Sequence, residues 1–485
     1  MNVPKIIPNW IGGKEVPASC GEVFLKLNPT NGQEICAVAR SNYEDVDKAV
    51  NIADQVLHNW SEMSPVNRGK YLHKVVLGMI ESRRDIAKTV CLETGKSMKE
   101  SLGETDAAIE LGLYYASEGQ RLYGRTMSSS MDTKQVSTIR EPVGIAGLII
   151  AANTPIANVA WKVFPALICG NSVVLKAAED TPVTAWKFGE VACRAGLPSG
   201  TLNIIQGYGK EAGQPLVEHP DVGVISFTGS SEIGLLIQEI AGKRLAKVSL
   251  ELGGKNPFVV CEDADLNSAV KWASLSAFSN AGQRCASGSR IIVLEPIYNK
   301  FKKLLIKKTK ELSLGSRDED DLGPVINEKQ MIRILNLIEE AKTRGARILT
   351  GGKRSNKSQH KKGFFVLPTI IENAEPEDEI SLVELFGPIT CLYRAEDFDH
   401  ALELANNSFY GLTACIHTSS INTAMKFTRK VKSGMAVVNA GTYGSEPHMP
   451  FGGLKRSGNG SREPGIEALD IYTNTKVIHI NYDVN

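Results

Sequence analysis

The sequence predicts an α/β protein of two or three domains, built on open, mostly parallel sheets with a small β arm. Three observations carry that expectation. Four apolar strands, Val143–Ala151, Ser172–Lys176, Thr201–Gln206 and Val222–Phe227, are separated by helix-length segments, the pattern of a parallel sheet buried on both faces. A second strand–helix alternation begins after Leu250-Glu-Leu-Gly-Gly254. Polar, alternating stretches at 125–141 and from Ala468 to Val484 read as exposed strands that bury little. At 485 residues the chain exceeds a single ordinary core. The expected division is 1–120 with 142–250, then 251–440, with 121–141 and 460–485 as the arm.

Taken in order, residues 1 to about 30 form a strand-rich lead-in with turns at Trp10-Ile-Gly-Gly13 and Asn28-Pro-Thr-Asn-Gly32. From Asp45 to about Tyr115, apolar residues recur at helical spacing (Val46, Ala49, Val50, Ala53, then Leu72, Val75, Val76, Met79), and Ser64-Pro65 reads as a helix cap. No chemistry is legible in these helices. Thr154-Pro155 and Thr181-Pro182 open two further helices. Beyond residue 254, strands are expected at Pro257–Cys261, Ser289–Leu294 and Ile389–Arg394. Helices are expected near Asn267–Asn280, Ile297–Leu312 and Glu328–Gly345, a polar loop at 356–362, and loop character over 436–453.

Lys+Arg is 55 and Asp+Glu is 54, so no basic field exists to attract nucleic acid or anionic lipid. The longest apolar run, Val143 to Ala152, is about half a membrane span, and no signal peptide opens the chain. The nine cysteines form no C-x-x-C pair, which points to no metal site, no disulfide framework and a reducing cytoplasm.

One of those cysteines, Cys285, lies in Ser279-Asn-Ala-Gly-Gln-Arg-Cys-Ala-Ser-Gly-Ser-Arg290, among small and polar residues that leave a sulfur approachable. A thiolate there is a candidate nucleophile, and a buried inert cysteine is the alternative. Glu251, flanked by leucines and glycines, is placed where desolvation raises a carboxyl pKa toward general-base range; a structural salt bridge competes with that reading. Two glycine-rich junctions compete as a phosphate cradle. Gly207-Tyr-Gly-Lys-Glu-Ala212 matches G-x-G-x-x-A, but Phe227 stands where that fingerprint expects an acid. Phe227-Thr-Gly-Ser-Ser-Glu-Ile-Gly234 ends a strand and opens a helix whose N-terminus suits a pyrophosphate. Lys176 and Glu179 leave a strand three positions apart, either as surface charges or as a ribose-binding pair.

Seven motifs follow one another: Asn153 before Pro155, Lys176-Ala-Ala-Glu179, Phe227 to Gly234, Leu250-Glu-Leu-Gly-Gly-Lys-Asn-Pro257, Gly282-Gln-Arg-Cys285, Glu384-Leu-Phe-Gly-Pro388 and Pro450-Phe-Gly-Gly453. In this order they resemble the aldehyde dehydrogenase superfamily over nearly the whole chain. The resemblance implies a Rossmann-type cofactor domain, an α/β catalytic domain and a β oligomerisation arm. It implies Cys285 as nucleophile, the Asn153 side chain and Cys285 backbone N–H as oxyanion donors, and Glu251 as the base that activates water. For NAD it implies Lys176 and Glu179 at the adenosine ribose, Ser230 and Gly229 at the pyrophosphate, and Glu384 with Phe386 at the nicotinamide ribose. Ile149, Gly209, Phe227, Ile233 and Leu252 complete that site, and Asn158, Trp161, Arg284 and Tyr443 are expected around the substrate. Glu179 would repel a 2′-phosphate, so NAD is expected over NADP, which stays possible.

Ala152 and Thr154 stand where many members carry aromatic residues, and small polar residues are expected in place of an aromatic wall. A small polar or carboxylated semialdehyde is therefore expected, its far end held by Arg284 or Asn158. The segment Glu446 to Gly453 also resembles members acting on 2-oxoglutarate semialdehyde and on aromatic aldehydes. The alternatives are an aromatic aldehyde dehydrogenase, a CoA-acylating enzyme, which characteristically lacks the base at the Glu251 position, and a non-catalytic structural or binding protein. A homodimer or homotetramer is expected.

Overall fold

The computed structural model describes residues 3–482. Met1, Asn2 and the stretch 483–485, including Val484 of the anticipated tail strand, lie outside the described residues. Two seven-stranded sheets organise the chain. In the first, Lys247–Glu251, Val222–Thr228, Ile145–Ile149, Ser172–Lys176 and Leu202–Ile205 run parallel, and Asn9–Ile11 and Lys14–Val16 extend the far edge antiparallel. Its strands are apolar on both faces because helices cover both. Val173, Val174 and Leu175 are wholly buried, each worth roughly 1.5–3 kcal/mol of apolar burial. Pro155–Ile168, buried almost all round, and Pro182–Arg194 pack on one side with the helices Pro65–Glu81, Arg83–Thr94 and Met98–Glu118. Tyr43–Glu62 and Ser231–Gly242 cover the other side. Ser64 caps Pro65–Glu81, accepting from the Asn67 N–H with proline at the first helical position.

The second sheet runs Arg347–Thr350, Thr369–Glu372, Ile389–Ala395, Arg290–Leu294, Pro257–Val260, Thr413–His417, Met435–Val438, all parallel except the first. Helices Leu266–Phe278 and Glu295–Lys310 lie on one face, and Glu328–Thr343 and Phe398–Asn406 on the other. Lead-in strands Ile6–Ile7, Val23–Leu27 and Glu34–Ala39 form a small separate sheet.

Two expectations are corrected. The stretch 436–453 is not all loop: Met435–Val438 is the edge strand of the second sheet, and its half-exposed alternation hid it. Strand character begins at Thr473, not Ala468. Residues Ala468–Tyr472 form a short helix because Ala468, Leu469, Ile471 and Tyr472 all bury against the first domain. From there Thr473–Asn481 pairs antiparallel with Lys134–Pro142 over nine residues, and Thr126–Met127 adds a third strand. No helix among the described residues is long and apolar enough to cross a membrane.

Glu372 shows how a buried charge holds the second sheet together. Burial works to raise its pKa, but hydrogen bonds from Lys302 (2.7 Å), Tyr298 (2.6 Å) and Arg347 outweigh it and bring the carboxyl to about 2. A depressed folded-state pKa stabilises above the unfolded value, about 4.3, and that contribution is lost as pH falls toward 2. Glu372→Gln should therefore lower the denaturation midpoint at pH 7, removing about 3 kcal/mol. The gap to the parent should narrow between pH 5 and pH 2; thermal melts across that range check it, and a constant gap would contradict the assignment.

Candidate active site

The chain crosses from one sheet to the other in five residues, 252–256, and the candidate site is built around that link. Glu251 ends the last strand of the first sheet, paired with Thr228, and Pro257 starts the second. The link is buried and fully engaged. Leu252 N–H donates to Ser457 O (3.0 Å), Gly254 N–H to Glu384 Oε1 (3.0 Å), and Lys255 Nζ to Ile380 O (2.7 Å). Asn256 Nδ2 donates to Cys285 O (2.7 Å) and Ser287 O (2.9 Å), tying the cysteine loop to the link. Glycine is required at 254, where a Cβ would lie 2.3 Å from the Cys285 carbonyl; a Cβ at Gly253 would lie 2.3 Å from Glu384 Oε2 and displace that carboxylate.

Cys285 itself is half-buried. The helix before it ends at Phe278, and Asn280 and Ala281 adopt left-handed φ of 53° and 52°. That turn brings Gly282 so close to Gly387 that a Cβ would meet its carbonyl at 2.0 Å. Burial, then the nearby Glu384 and Glu251 carboxyls, push the thiol up to about 12, against the Ala286 N–H and Arg284, which favour the thiolate. Glu251 is 6% exposed with neither carboxylate oxygen hydrogen-bonded, and its pKa is pushed well above the ordinary range by burial and by Glu463.

Behind Glu251 lies a network that sequence reasoning missed. Lys162 Nζ donates to Glu463 (2.8 Å) and Ser226 (2.7 Å), while Ser226, Ser249 and Tyr472 hydroxyls donate to the other Glu463 oxygen. A lysine inside the apolar helix Pro155–Ile168 was the available signal.

Asn153 Nδ2 donates to Gln283 O (3.1 Å), two residues before Cys285. Its Oδ1 accepts from Asn158 Nδ2 (3.2 Å), which also reaches Ala151 O and Thr154 Oγ1. Asn158 was expected at the far end of the substrate; its amide instead faces the loop carrying Asn153 and fixes which end of that amide meets Gln283. Arg284 lies over the Tyr443 ring at 5.0 Å with Nε buried and unpartnered. Trp161 packs edge-on against Phe451 at 5.5 Å with its indole N–H unpartnered. Phe451 precedes Gly452, whose Cβ would lie 2.9 Å from Glu251 Oε1. Trp161 and Phe451 thus pair their rings in the segment that passes Glu251, and Tyr443 adds a third ring beside Arg284.

The remaining expected residues line the carboxyl ends of the first sheet. Ile149, Lys176 and Phe227 end adjacent strands. Buried Lys176 pairs with exposed Glu179 at 2.8 Å. Burial works against ionisation of Glu179, but Lys176 prevails and holds its pKa below the usual value. Ser230 caps Ser231–Gly242, accepting from Ile233 N–H. Gly229 is a close-approach position, since a Cβ would meet the Phe227 ring at 2.3 Å, and Gly234 admits only Leu252 beside it. Ile233 is exposed on the first turn of that helix. Gly209 is exposed, has open space where a Cβ would stand, and begins the short π-helix Gly209–Gly213. Phe386 has φ 52°, its carbonyl held by Gln330. Burial pushes Glu384 up to about 7. These residues carry features that fit a dinucleotide: a capped helix N-terminus, a carboxylate for ribose hydroxyls, and glycines where a Cβ would intrude. No cluster of metal-ligating side chains exists among the described residues.

The aldehyde dehydrogenase family model matches residues 16–478. The chain belongs to the aldehyde dehydrogenase family. This aldehyde dehydrogenase is 37% identical over 477 residues to the α-ketoglutaric semialdehyde dehydrogenase of Bacillus subtilis, covering 97% of each chain. It is 35% identical over 478 residues to an Aspergillus niger aldehyde dehydrogenase, covering 97% of this chain and 94% of the other. Among solved structures it resembles betaine aldehyde dehydrogenase of Staphylococcus aureus in complex with NAD+. The TM-score is 0.96 at 33% identity, over 98% of this chain and 94% of that one.

A thiol held at about 12 is neutral at physiological pH, and its thiolate fraction rises tenfold per pH unit below that value. Alkylation of Cys285 by iodoacetamide in the cofactor-free enzyme should climb steadily from pH 7 to pH 10; mass spectrometry of the Cys285 peptide follows it. A plateau near pH 8 would sink the assignment.

Proposed function

We propose that this aldehyde dehydrogenase oxidises a carboxylated aldehyde to the acid with NAD as acceptor. The observation that carries the reaction is Glu251, buried with both oxygens free beside the Cys285 loop. Cys285 Sγ passes its proton to Glu251, which releases it to solvent, and attacks the aldehyde carbon, forming a thiohemiacetal whose oxyanion takes hydrogen bonds from Asn153 Nδ2 and the Cys285 backbone N–H. NAD, when bound, would supply the hydride acceptor for the oxidation. Lys176, Glu179, Ser230, Gly229, Glu384 and Phe386 would hold it, with Ile149, Gly209, Phe227, Ile233 and Leu252 around it. Glu251 accepts a proton from water as that water attacks the thioester, and the acid leaves as Cys285 is regenerated. A CoA-acylating enzyme has no need of such a base, which favours hydrolysis.

Arg284 supports the substrate class. Its guanidinium caps the Tyr443 face next to the nucleophile and has an unpartnered buried Nε, a counter-ion in search of a carboxylate. The same charge opposes a quaternary ammonium aldehyde, although one solved structure that this chain resembles is a betaine aldehyde dehydrogenase. The relative named for α-ketoglutaric semialdehyde agrees in sign. The Trp161–Phe451 pair favours a second reading, an aromatic aldehyde stacked against the indole.

The enzyme is proposed to work as a homodimer or homotetramer. Thr473–Asn481 is an edge strand with Val477 and Ile480 half-exposed, and Ile233, Leu235 and Leu236 stand out from Ser231–Gly242. Nine free cysteines suit a reducing cytoplasm.

Arg284→Leu should lower kcat/KM for 2-oxoglutarate semialdehyde about 10- to 100-fold, the loss of one charged hydrogen bond, and change benzaldehyde far less. Equal losses on both, or a higher parent kcat/KM for benzaldehyde, would overturn the carboxylate assignment. Glu251→Gln should give one NADH per active site in a rapid burst and then almost no turnover. Steady turnover at the parental rate would show that another group activates the water.

A further inference from the structure

The helices between Asp45 and Tyr115 carry no legible chemistry in the sequence, yet one of them reaches the reaction centre. We infer that the buried pair Lys96–Glu104 is a positioning device that holds Asn153 in its donating pose against the Cys285 loop. The inference rests on the reading of Asn153 as oxyanion donor.

Lys96 is 6% and Glu104 9% exposed. Desolvating two charges costs several kcal/mol per ion before their attraction is counted, so a helix needing only to pack would be better served by apolar side chains here. What the charges touch explains their presence. Lys96 Nζ donates both to Glu104 Oε2 and to the main-chain oxygen of Asn153, the latter at 2.6 Å. The other Glu104 oxygen accepts the Ile156 N–H at 3.0 Å, one of the orphan donors at the start of Pro155–Ile168. The pair therefore grips the Asn153–Ile156 turn from both sides.

The same helix also holds the nucleophile's loop. Glu104 belongs to Met98–Glu118, and Glu100, one turn earlier on the same face, accepts the Asn280 N–H at 3.1 Å. The Asn280 side chain donates to Asn153 O (3.2 Å) and Gln283 O (3.1 Å). Carboxylates four residues apart on one helix thus fix the two loops that must meet. With Asn158 setting the amide's orientation and one Nδ2 hydrogen given to Gln283, the second is left for an oxyanion. Displacing such a donor by an ångström costs about 100-fold in rate.

The test compares reactions that do and do not form an oxyanion at Cys285. Hydrolysis of p-nitrophenyl acetate and oxidation of propanal with NAD pass through one; alkylation by iodoacetamide does not. Lys96→Met and Glu104→Gln should each slow the first two by about 10- to 100-fold and leave alkylation within twofold. Asn153→Ala should slow them by about 100- to 1,000-fold, and adding Lys96→Met to it should cost little more, since both act through one group. Slowed alkylation, full additivity with Asn153→Ala, or loss of folded enzyme in both Lys96→Met and Glu104→Gln would overturn the inference, because the pair would then serve general structure. Unchanged rates in Asn153→Ala would instead remove the oxyanion reading, and the inference with it.

Discussion

Everything in this site depends on the five-residue link between the two sheets. Residues 252–256 have no slack: every polar group named along them is spent on a partner from another segment, and the Cys285 carbonyl, 2.3 Å from where a Cβ would stand, bars a larger residue at Gly254. Because Glu251 ends one sheet while the Gly254 N–H and the Asn256 side chain bind Glu384 and the Cys285 carbonyl, the proposed base, the proposed nucleophile and the Glu384 carboxyl are located by one short link. Precision of this kind is what reactions limited by positioning require.

The same compactness makes the site electrostatically uncomfortable. Glu251, Glu384 and the Cys285 thiol share a poorly solvated volume, and each discourages ionisation of the thiol or of its neighbours. Lys162 and then Arg462 favour the charged form of Glu251, but Lys162 is itself divided between Glu463 and Ser226. The Cys285 thiol is thus neutral at rest, where the chemistry needs an anion. Charge must appear when substrate arrives, and buried fixed donors such as Asn153 matter because they need no reorganisation at that moment.

The parallel strands of both sheets were readable because burial on both faces leaves unbroken apolar runs such as Ser172–Lys176. Edge strands were not: Met435–Val438 alternates like a loop, and Ala468–Tyr472 borrows the alternation of the strand that follows it. Cys285, Glu251 and Asn153 stand out in sequence because small residues surround a reactive group. The position of Asn158 on its helix was legible, but the hydrogen bonds of its amide to Ala151, Asn153 and Thr154 were not. Lys96, Glu104, Lys162 and Glu463 were invisible for a different reason. Charged residues ordinarily face water, whether on a helix (Glu104, Lys162) or in a loop (Lys96, Glu463), and only the folded structure reveals which ones turn inward.

The arm ladder joins Lys134 to Asn481, positions 347 apart (481 − 134). The strands of both main sheets all lie between residues 9 and 438, so they leave the ribosome before the last strand of the arm does. The strand Lys134–Pro142 must wait through that interval with its edge uncovered. Its Lys134, Arg140 and Glu141 leave it too charged to recruit another nascent chain in place of its proper mate.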